Sequence, residues 1–130
     1  MRPVLAELLP ACEPHFFDRA ATMIAWLEQH LGNVVLISLD HDLPFFRAED
    51  GTLTDFGTGR QVVDYLCTID MRCPVIVHSS NHHFAPGMVR CLKDAGFVHA
   101  RVYPYDDTAW VALGWAEQIR AYLRDGRIDA

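Results

Sequence analysis

Apolar residues along the chain form two kinds of pattern, continuous runs and runs with helical spacing. Continuous apolar runs occupy residues 33–39 (NVVLISL) and 74–77 (PVIV). Runs without alternation are typical of strands that are covered on both faces, as in a parallel sheet. A short apolar run at residues 3–8 predicts a first strand, and the segment 97–103 (FVHARVY) predicts a last strand.

Helical spacing separates these runs. The predicted helices occupy residues 20–31, 60–69, 86–95 and 106–126. Asp18, Thr58 and Pro86 are typical of helix starts, whereas Gly32 and Gly96 are typical of helix ends.

The alternation of strands and helices predicts an open parallel sheet with helices on both faces. Leu36 and Val75 are then expected to be fully buried in adjacent central strands. Residues 40–58 are predicted to form a long polar loop, and loops of this length in compact domains are usually functional or mobile.

Composition narrows the class of protein. The chain has 130 residues, which fits one domain, assigned here to residues 1–130. With 51% hydrophobic and 22% charged residues, the composition excludes a disordered chain. No apolar run approaches the roughly 20 residues that span a bilayer, so no membrane partner is expected. The net charge of −6 excludes a broad nucleic-acid surface, but not a small site for one nucleotide or an RNA end.

The four cysteines are not in the CxxC spacing that many zinc and redox sites use. Because the first residues lack the pattern of a secretory signal, we expect reduced thiols and a cytoplasmic protein. Three of the cysteines lie in apolar segments and are predicted to fill the core.

Polar residues with catalytic chemistry follow the predicted strands. In an open parallel sheet, ligands bind beyond the carboxyl ends of the strands. The residues that this rule brings to one edge are Glu7, Asp40, His41, Asp42, His78, Ser79, Ser80 and Asn81, together with Tyr103 to Asp107 after the last predicted strand. Acids, imidazoles, hydroxyls and an amide from distant parts of the sequence are therefore expected at one site.

The carboxylates at this edge form a candidate metal site. Asp40 and Asp42 share one side if the strand continues through them, and Glu7 follows the first predicted strand. Hard oxygen ligands suit a divalent metal such as Mg²⁺ or Mn²⁺. The alternative is that Asp42 caps the loop and only Asp40 faces the site.

His78 and His41 are candidates for proton transfer, because imidazole titrates near neutral pH. His78 directly follows four apolar residues, so the alternative for it is a hydrogen-bonded core histidine. His41 points away from Asp40 if the strand continues, and its alternative is a structural role.

Phosphate-binding groups follow the strand that ends near residue 77. Ser79, Ser80 and Asn81 precede a helix, and the hydroxyl, amide and backbone N–H groups of such a turn can bind phosphate oxygens. Arg60 is a further candidate, because its planar guanidinium matches phosphate. The alternatives are ordinary turn chemistry for Ser79 and Asn81 and a surface ion pair for Arg60.

Two motifs carry a family resemblance. SLDHDL (residues 38–43) and VHSSN (residues 77–81) end two successive predicted strands, with GTGRQVVDYL (residues 57–66) between them. This combination resembles the cyclic-phosphate-processing receiver-like family over about residues 34–105. The resemblance implies a three-layer α/β/α sandwich with a flavodoxin-like, receiver-like open parallel sheet. It also implies that the ligand is a small cyclic phosphate of a nucleotide or an RNA end.

The chain departs from ordinary response-regulator receivers at two places, since the acidic pair expected after the first strand is reduced to Glu7 and the lysine of the last strand is missing. Asp40, Pro44 and Ser79 match the receiver pattern of a phosphorylatable aspartate, a proline four residues later and a hydroxyl after the next strand. The lysine expected before Pro104 is replaced by Tyr103. Because that lysine pairs with the phosphoryl group, its absence disfavours ordinary signalling through phosphorylated Asp40.

We therefore predict a metal-dependent, phosphodiesterase-like enzyme that processes cyclic phosphates. The metal would be Mg²⁺ or Mn²⁺, and His78 or His41 would carry the proton. The phosphate would be bound by Ser79, Ser80, Asn81 and Arg60. The alternative is a degenerate receiver-like module that binds a phosphorylated ligand or a protein without turnover.

Overall fold

The computed structural model describes residues 2–40, 58–70, 72–79, 83–104 and 109–128, and the backbone of residues 45–47 and 53–55. Within these residues the strands are β1 Ile37–Leu39, β2 Phe45–Arg47, β3 Leu53–Asp55, β4 Val75–His78 and β5 His99–Val102. The α-helices are α1 Arg2–Leu8, α2 Ala20–His30, α3 Gly59–Leu66, α4 Ala85–Asp94 and α5 Ala116–Arg124. A 3₁₀ turn at Leu31–Asn33 follows α2, and a π-helical segment at Val111–Trp115 leads into α5.

The central sheet has the order β1-β4-β5, and both strand pairs are parallel. In the register, Val75 of β4 lies opposite Ile37 of β1 and His99 of β5. The predicted parallel α/β architecture is therefore confirmed, and the carboxyl ends of the three strands share one edge.

Helices cover both faces of this sheet. Val75 and Val77 of β4 pack in a core cluster with α2, α3 and α4. Ile76, which points to the opposite face, packs in a second cluster with α5 and with residues of α1. The apolar run around β4 lacks alternation because both faces of the strand are buried.

The strand predicted at residues 3–8 is wrong, because this segment forms α1. A short apolar run does not by itself distinguish a strand from a helix. Pro3 lies in the first turn of α1, where its missing N–H is not needed. Glu7 is consequently exposed on a helix and does not follow a strand of the sheet.

The polar segment after β1 also differs from the prediction. Instead of a loop throughout, it contains an antiparallel pair, β2 and β3, in which Phe45 lies opposite Asp55. The Asp50-Gly51 dipeptide between the two strands is a common hairpin signal. The surrounding polar residues obscured it.

Burial at β1 differs from the prediction in one residue. Val75 is fully buried as expected, but Leu36 is half-buried. The strand begins one residue later than Leu36, and Ile37 occupies the buried position opposite Val75.

The helix ends follow local sequence signals in most cases. The backbone N–H of Thr58 donates a 2.9 Å hydrogen bond to Oε1 of Gln61 at the start of α3. Gly96 follows α4 with a φ of +85°, a left-handed conformation that favours glycine. The cap of α2 is Arg19 rather than Asp18, and Gly32 lies inside the 3₁₀ turn.

Two further features bear on the expectations from composition. Of the cysteines predicted to fill the core, Cys73 is buried, and burial raises the pKa of its thiol to about 12, whereas Cys12, Cys67 and Cys91 are half-buried. None of the described helices combines the length and apolar character that crossing a bilayer would take.

Candidate functional site

A cleft of about 740 Å³ lies beside β1. Asp40, which follows β1, and His78, which ends β4, both line it. Its other walls are largely apolar and come from α1, α2 and the segment between them. Neighbouring parallel strands thus bring a carboxylate and an imidazole from distant parts of the sequence to one cleft.

The start of α3 packs directly on the backbone of Asp40. A Cβ atom on Gly59 would overlap the carbonyl oxygen of Asp40 and lie 2.8 Å from its carbonyl carbon. The same Cβ atom would be 3.1 Å from Cε of Met88. Glycine at this position therefore allows the start of α3 to pack against the end of β1, and this close contact holds the backbone of Asp40 in place.

A second contact fixes the strand just before Asp40. Nε1 of Trp115 donates a 2.9 Å hydrogen bond to Oγ of Ser38. Trp115 is almost completely buried in the π-helical segment before α5. The bond therefore ties the edge strand of the sheet to the helical layer behind it.

His78 is held against an aromatic side chain. Its imidazole stacks on the indole of Trp110, with ring centroids 5.4 Å apart and an angle of 24° between the planes. Burial lowers the pKa of His78 to about 4, because a low-dielectric environment disfavours the charged imidazolium. The ring is therefore neutral at pH 7 and able to accept a proton or a hydrogen bond.

Ser79 follows His78 and is only 1% exposed. Its carbonyl oxygen accepts a hydrogen bond from Nη2 of Arg101 at 3.3 Å. Arg101 lies in β5, opposite Val77, two positions before Tyr103. The carboxyl edge of the sheet thus carries a cation as well as Asp40 and His78.

The sequence pattern did not point to Arg101, because the rule for open parallel sheets concerns residues that follow the strands and Arg101 lies within β5. Alternation along β5 was the available signal, since it places Arg101 and Tyr103 on the same face. A long side chain on that face reaches toward the carboxyl edge.

Arg60 and Glu7 are not brought to this edge by contacts among the described residues. Nε of Arg60 donates to Oδ1 of Asp64 at 2.9 Å, and Nη2 donates to Sγ of Cys91 at 3.0 Å. The hydrogen bond to Asp64 raises the pKa of Arg60. Arg60 thus links α3 to α4, in line with the ion-pair alternative, while Glu7 is exposed on α1 and does not line the cleft.

Four of the predicted site residues, His41, Asp42, Ser80 and Asn81, lie outside the described residues. Within the described part of the chain, no three His, Cys, Asp or Glu side chains are grouped as metal ligands. Among the described residues, the carboxylates that line the cleft are Asp40 and Glu13. The metal predicted at Asp40 with Asp42 or Glu7 stays a prediction.

Comparisons with known proteins place the chain in a family. Neither the curated proteins nor the solved structures gave a significant match. Residues 10–94, more than half of the chain, match the profile of the cyclic-phosphate processing receiver domain. The matched segment contains Asp40, Gly59, His78 and Ser79. The chain belongs to the cyclic-phosphate processing receiver domain family.

Proposed function

We propose that this protein hydrolyses a cyclic phosphate of a nucleotide or an RNA end at the cleft beside β1. The observation that carries the proposal is the opening of Asp40 and a neutral His78 onto the same cleft. A carboxylate and an unprotonated imidazole are groups that can orient and activate water. The family match supports cyclic phosphates as the class of ligand.

In the proposed reaction, a water oxygen attacks phosphorus and the bond from phosphorus to one ring oxygen breaks. His78 accepts a proton of the water, and a second proton carrier, for which His41 is the candidate, protonates the departing alkoxide on the opposite side of the phosphorus. The low pKa of free His78 makes it a weak base, but an anionic phosphodiester nearby favours the imidazolium and raises that pKa. Substrate binding would thus adjust the base to its task.

A divalent ion would be held by Asp40 together with Asp42, and when bound it would neutralise phosphate charge and lower the pKa of a water ligand. Asp40 otherwise acts on water by orienting it through hydrogen bonds. Gly59 and Ser38 fix the backbone around Asp40, so the carboxylate is positioned before substrate arrives.

The test is steady-state hydrolysis of a 2′,3′-cyclic nucleotide by wild type, His78→Ala and Asp40→Asn across a Mg²⁺ or Mn²⁺ titration. His78→Ala should lower the rate about 10²- to 10⁴-fold at every metal concentration, because the proton acceptor is lost. Asp40→Asn should also lower the rate, and excess metal should partly restore it if Asp40 is a metal ligand.

Two control variants separate the site from general effects. His99→Ala changes a half-buried histidine at the opposite end of the same sheet, and Asp94→Asn changes an exposed carboxylate at the end of α4. Both should keep the wild-type rate, and circular dichroism checks that all four variants fold. Full activity of His78→Ala and Asp40→Asn would move the active site away from this cleft.

The second candidate function is a binding module without turnover. The stacking of His78 on Trp110 favours it, because a histidine held by packing needs no chemical role. This function predicts saturable binding of cyclic nucleotides by a wild-type protein that hydrolyses none of them at any metal concentration.

A further inference from the structure

Arg101 places a positive charge at the carboxyl edge of the sheet, on β5, which β4 separates from β1 and the cleft, in a protein with a net charge of −6. Its guanidinium reaches the backbone of Ser79, the residue that follows His78, with Nη2 3.3 Å from the carbonyl oxygen. Ser79 is 1% exposed, so this contact lies under the surface at the carboxyl ends of β4 and β5. A half-buried cation at this point needs an explanation, because removing charge from water is costly.

The orientation of the guanidinium is fixed from a second side. Cζ of Arg101 lies 4.3 Å from the ring centroid of Tyr103, which is a cation–π contact. Tyr103 is 51% exposed, so the pair extends from the buried Ser79 carbonyl to the protein surface. Backbone and aromatic ring together hold the planar group in one orientation.

The hydrogen bonds of Arg101 are incomplete. Nε is buried and has no acceptor among the described residues. No carboxylate in the described part of the chain forms an ion pair with Arg101. Arg60 and Arg120 each have a carboxylate partner within their own helix, so Arg101 differs from these arginines. A buried N–H of a charged group without an acceptor is destabilising, and because Nε has almost no accessible surface, a ligand would be bound by the terminal nitrogens of the guanidinium.

We propose that Arg101 binds the phosphate group of the ligand, with Tyr103 and the Ser79 carbonyl orienting its guanidinium. The proposal rests on the proposed function of this edge of the sheet. Arg101 does not line the cleft, so its guanidinium would meet the phosphate across the carboxyl end of β4. A guanidinium presents parallel N–H donors that match two phosphate oxygens. Arg101 would thereby supply the charge that ordinary receivers obtain from the lysine that Tyr103 replaces here.

The first experiment measures binding separately from turnover. Calorimetry of the full chain without divalent metal, with a 2′,3′-cyclic nucleotide and with inorganic phosphate, gives the dissociation constants for wild type, Arg101→Gln, Arg101→Lys and Tyr103→Leu. Arg101→Gln should weaken binding about 10- to 100-fold, since a charged hydrogen-bond donor is lost. Arg101→Lys should weaken binding less, because it keeps the charge and loses only the planar guanidinium. Tyr103→Leu should also weaken binding less, because the guanidinium stays but loses the ring that orients it.

Arg120→Gln is the matched control, since it removes an arginine that pairs with Glu117 on α5. It should bind both probes as wild type does. Unchanged dissociation constants for folded Arg101→Gln overturn the proposal. Tyr103→Phe should bind the probes more tightly than Tyr103→Leu does, because it keeps the aromatic ring. Equal dissociation constants for the two variants would contradict the orienting role of Tyr103.

A measurement on wild type keeps the proposal testable if the Arg101 variants do not fold. The Nε–H resonance of Arg101 in an NMR titration should move with inorganic phosphate and not with chloride at the same ionic strength. A resonance that stays fixed while calorimetry detects phosphate binding contradicts the proposal.

The outcomes also separate this inference from the proposed function. Binding that depends on Arg101 in a protein without hydrolytic activity supports the inference and refutes the hydrolase. Hydrolysis with normal substrate affinity in Arg101→Gln supports the hydrolase and refutes the inference. A wild-type protein that binds neither probe refutes both.

Discussion

The two strands that carry the candidate site, β4 and β1, differ in how they are enclosed. β4 lies between β1 and β5, and Ile76 at its centre has 0% exposure. β1 pairs with β4 alone among the described strands, and the cleft lies along it. His78 therefore extends from an enclosed strand, whereas Asp40 follows a strand at the margin of the sheet.

Because of this difference, the stability of the domain and the geometry of the site should depend on different strands. The position of His78 depends on a strand that the whole core holds in place. The position of Asp40 depends on pairing with β4 and on local contacts, among them those made by Gly59 and Trp115. Changes in β4 should therefore lower the stability of the whole domain, while changes near the end of β1 should alter the site first.

The largest effect is expected from shortening a side chain in β4. Ile76→Ala should lower the free energy of unfolding by about 3–4 kcal/mol, because transfer free energy is lost and a cavity remains. Leu36→Ala, next to β1, removes as many carbon atoms from a half-buried position of the same cluster and should cost about half as much. Chemical denaturation of the two variants measures the contrast.

This pair also revises the expectation that Leu36 is as buried as Val75. Equal losses for Ile76→Ala and Leu36→Ala would mean that β1 is as enclosed as β4. A loss below about 1 kcal/mol for Ile76→Ala would contradict the packing of β4 itself.

The next effect concerns the contact that positions Asp40. Gly59→Ala should lower the free energy of unfolding by about 2–3 kcal/mol, since the added Cβ overlaps the backbone of Asp40 and the start of α3 must move. Hydrolysis or ligand binding should fall further than this loss of stability explains, because Asp40 moves with its backbone. Thermal unfolding and the activity assay measure the two effects on the same preparation.

Gly32→Ala is the matched control, because a Cβ atom on exposed Gly32 would meet no atom within 4 Å. It should keep wild-type stability and activity. If Gly59→Ala behaves like Gly32→Ala, the close approach of α3 to Asp40 is not required by the site.

How far the sequence predicts the fold depends on the number of signals per element. β4 and α4 carry several at once, namely a continuous apolar run, Pro86 in the first helical turn and Gly96 after the last. The apolar run at residues 3–8, within α1, has no periodicity that separates a strand from a helix, and in the structure α1 packs against α5. Tertiary contact therefore decided the element that the pattern could not.

The site shows the same division. Parallel strands share an edge, so the order of elements sufficed to bring Asp40 and His78 to one cleft. The burial of the His78 ring against Trp110 depends on how the helical segment before α5 docks, which no local pattern encodes. The contact of Arg101 with Ser79 likewise depends on the register between β4 and β5.

The smallest effect tests the enclosure of His78 through pH. Unfolded His78 has an ordinary pKa of 6.5, and burial lowers the folded value to about 4. Between these values the unfolded chain binds a proton that the folded chain does not, so the free energy of unfolding falls as the pH is lowered from 6.5 towards 4. The titration of His78 should therefore lower the free energy of unfolding by about 2 kcal/mol at pH 5 relative to pH 7.

The measurement compares urea unfolding of wild type and His78→Gln at pH 7, 6 and 5. Other groups titrate in both proteins, so the difference between the two profiles isolates His78. Wild type should lose more stability than His78→Gln on acidification, and His99→Gln should follow wild type, because His99 lies at the other end of the sheet. Parallel profiles for wild type and His78→Gln would mean that the imidazole is hydrated. In that case the side chain of His78 would be as open to solvent as the end of β1 that carries Asp40, although β4 itself is enclosed.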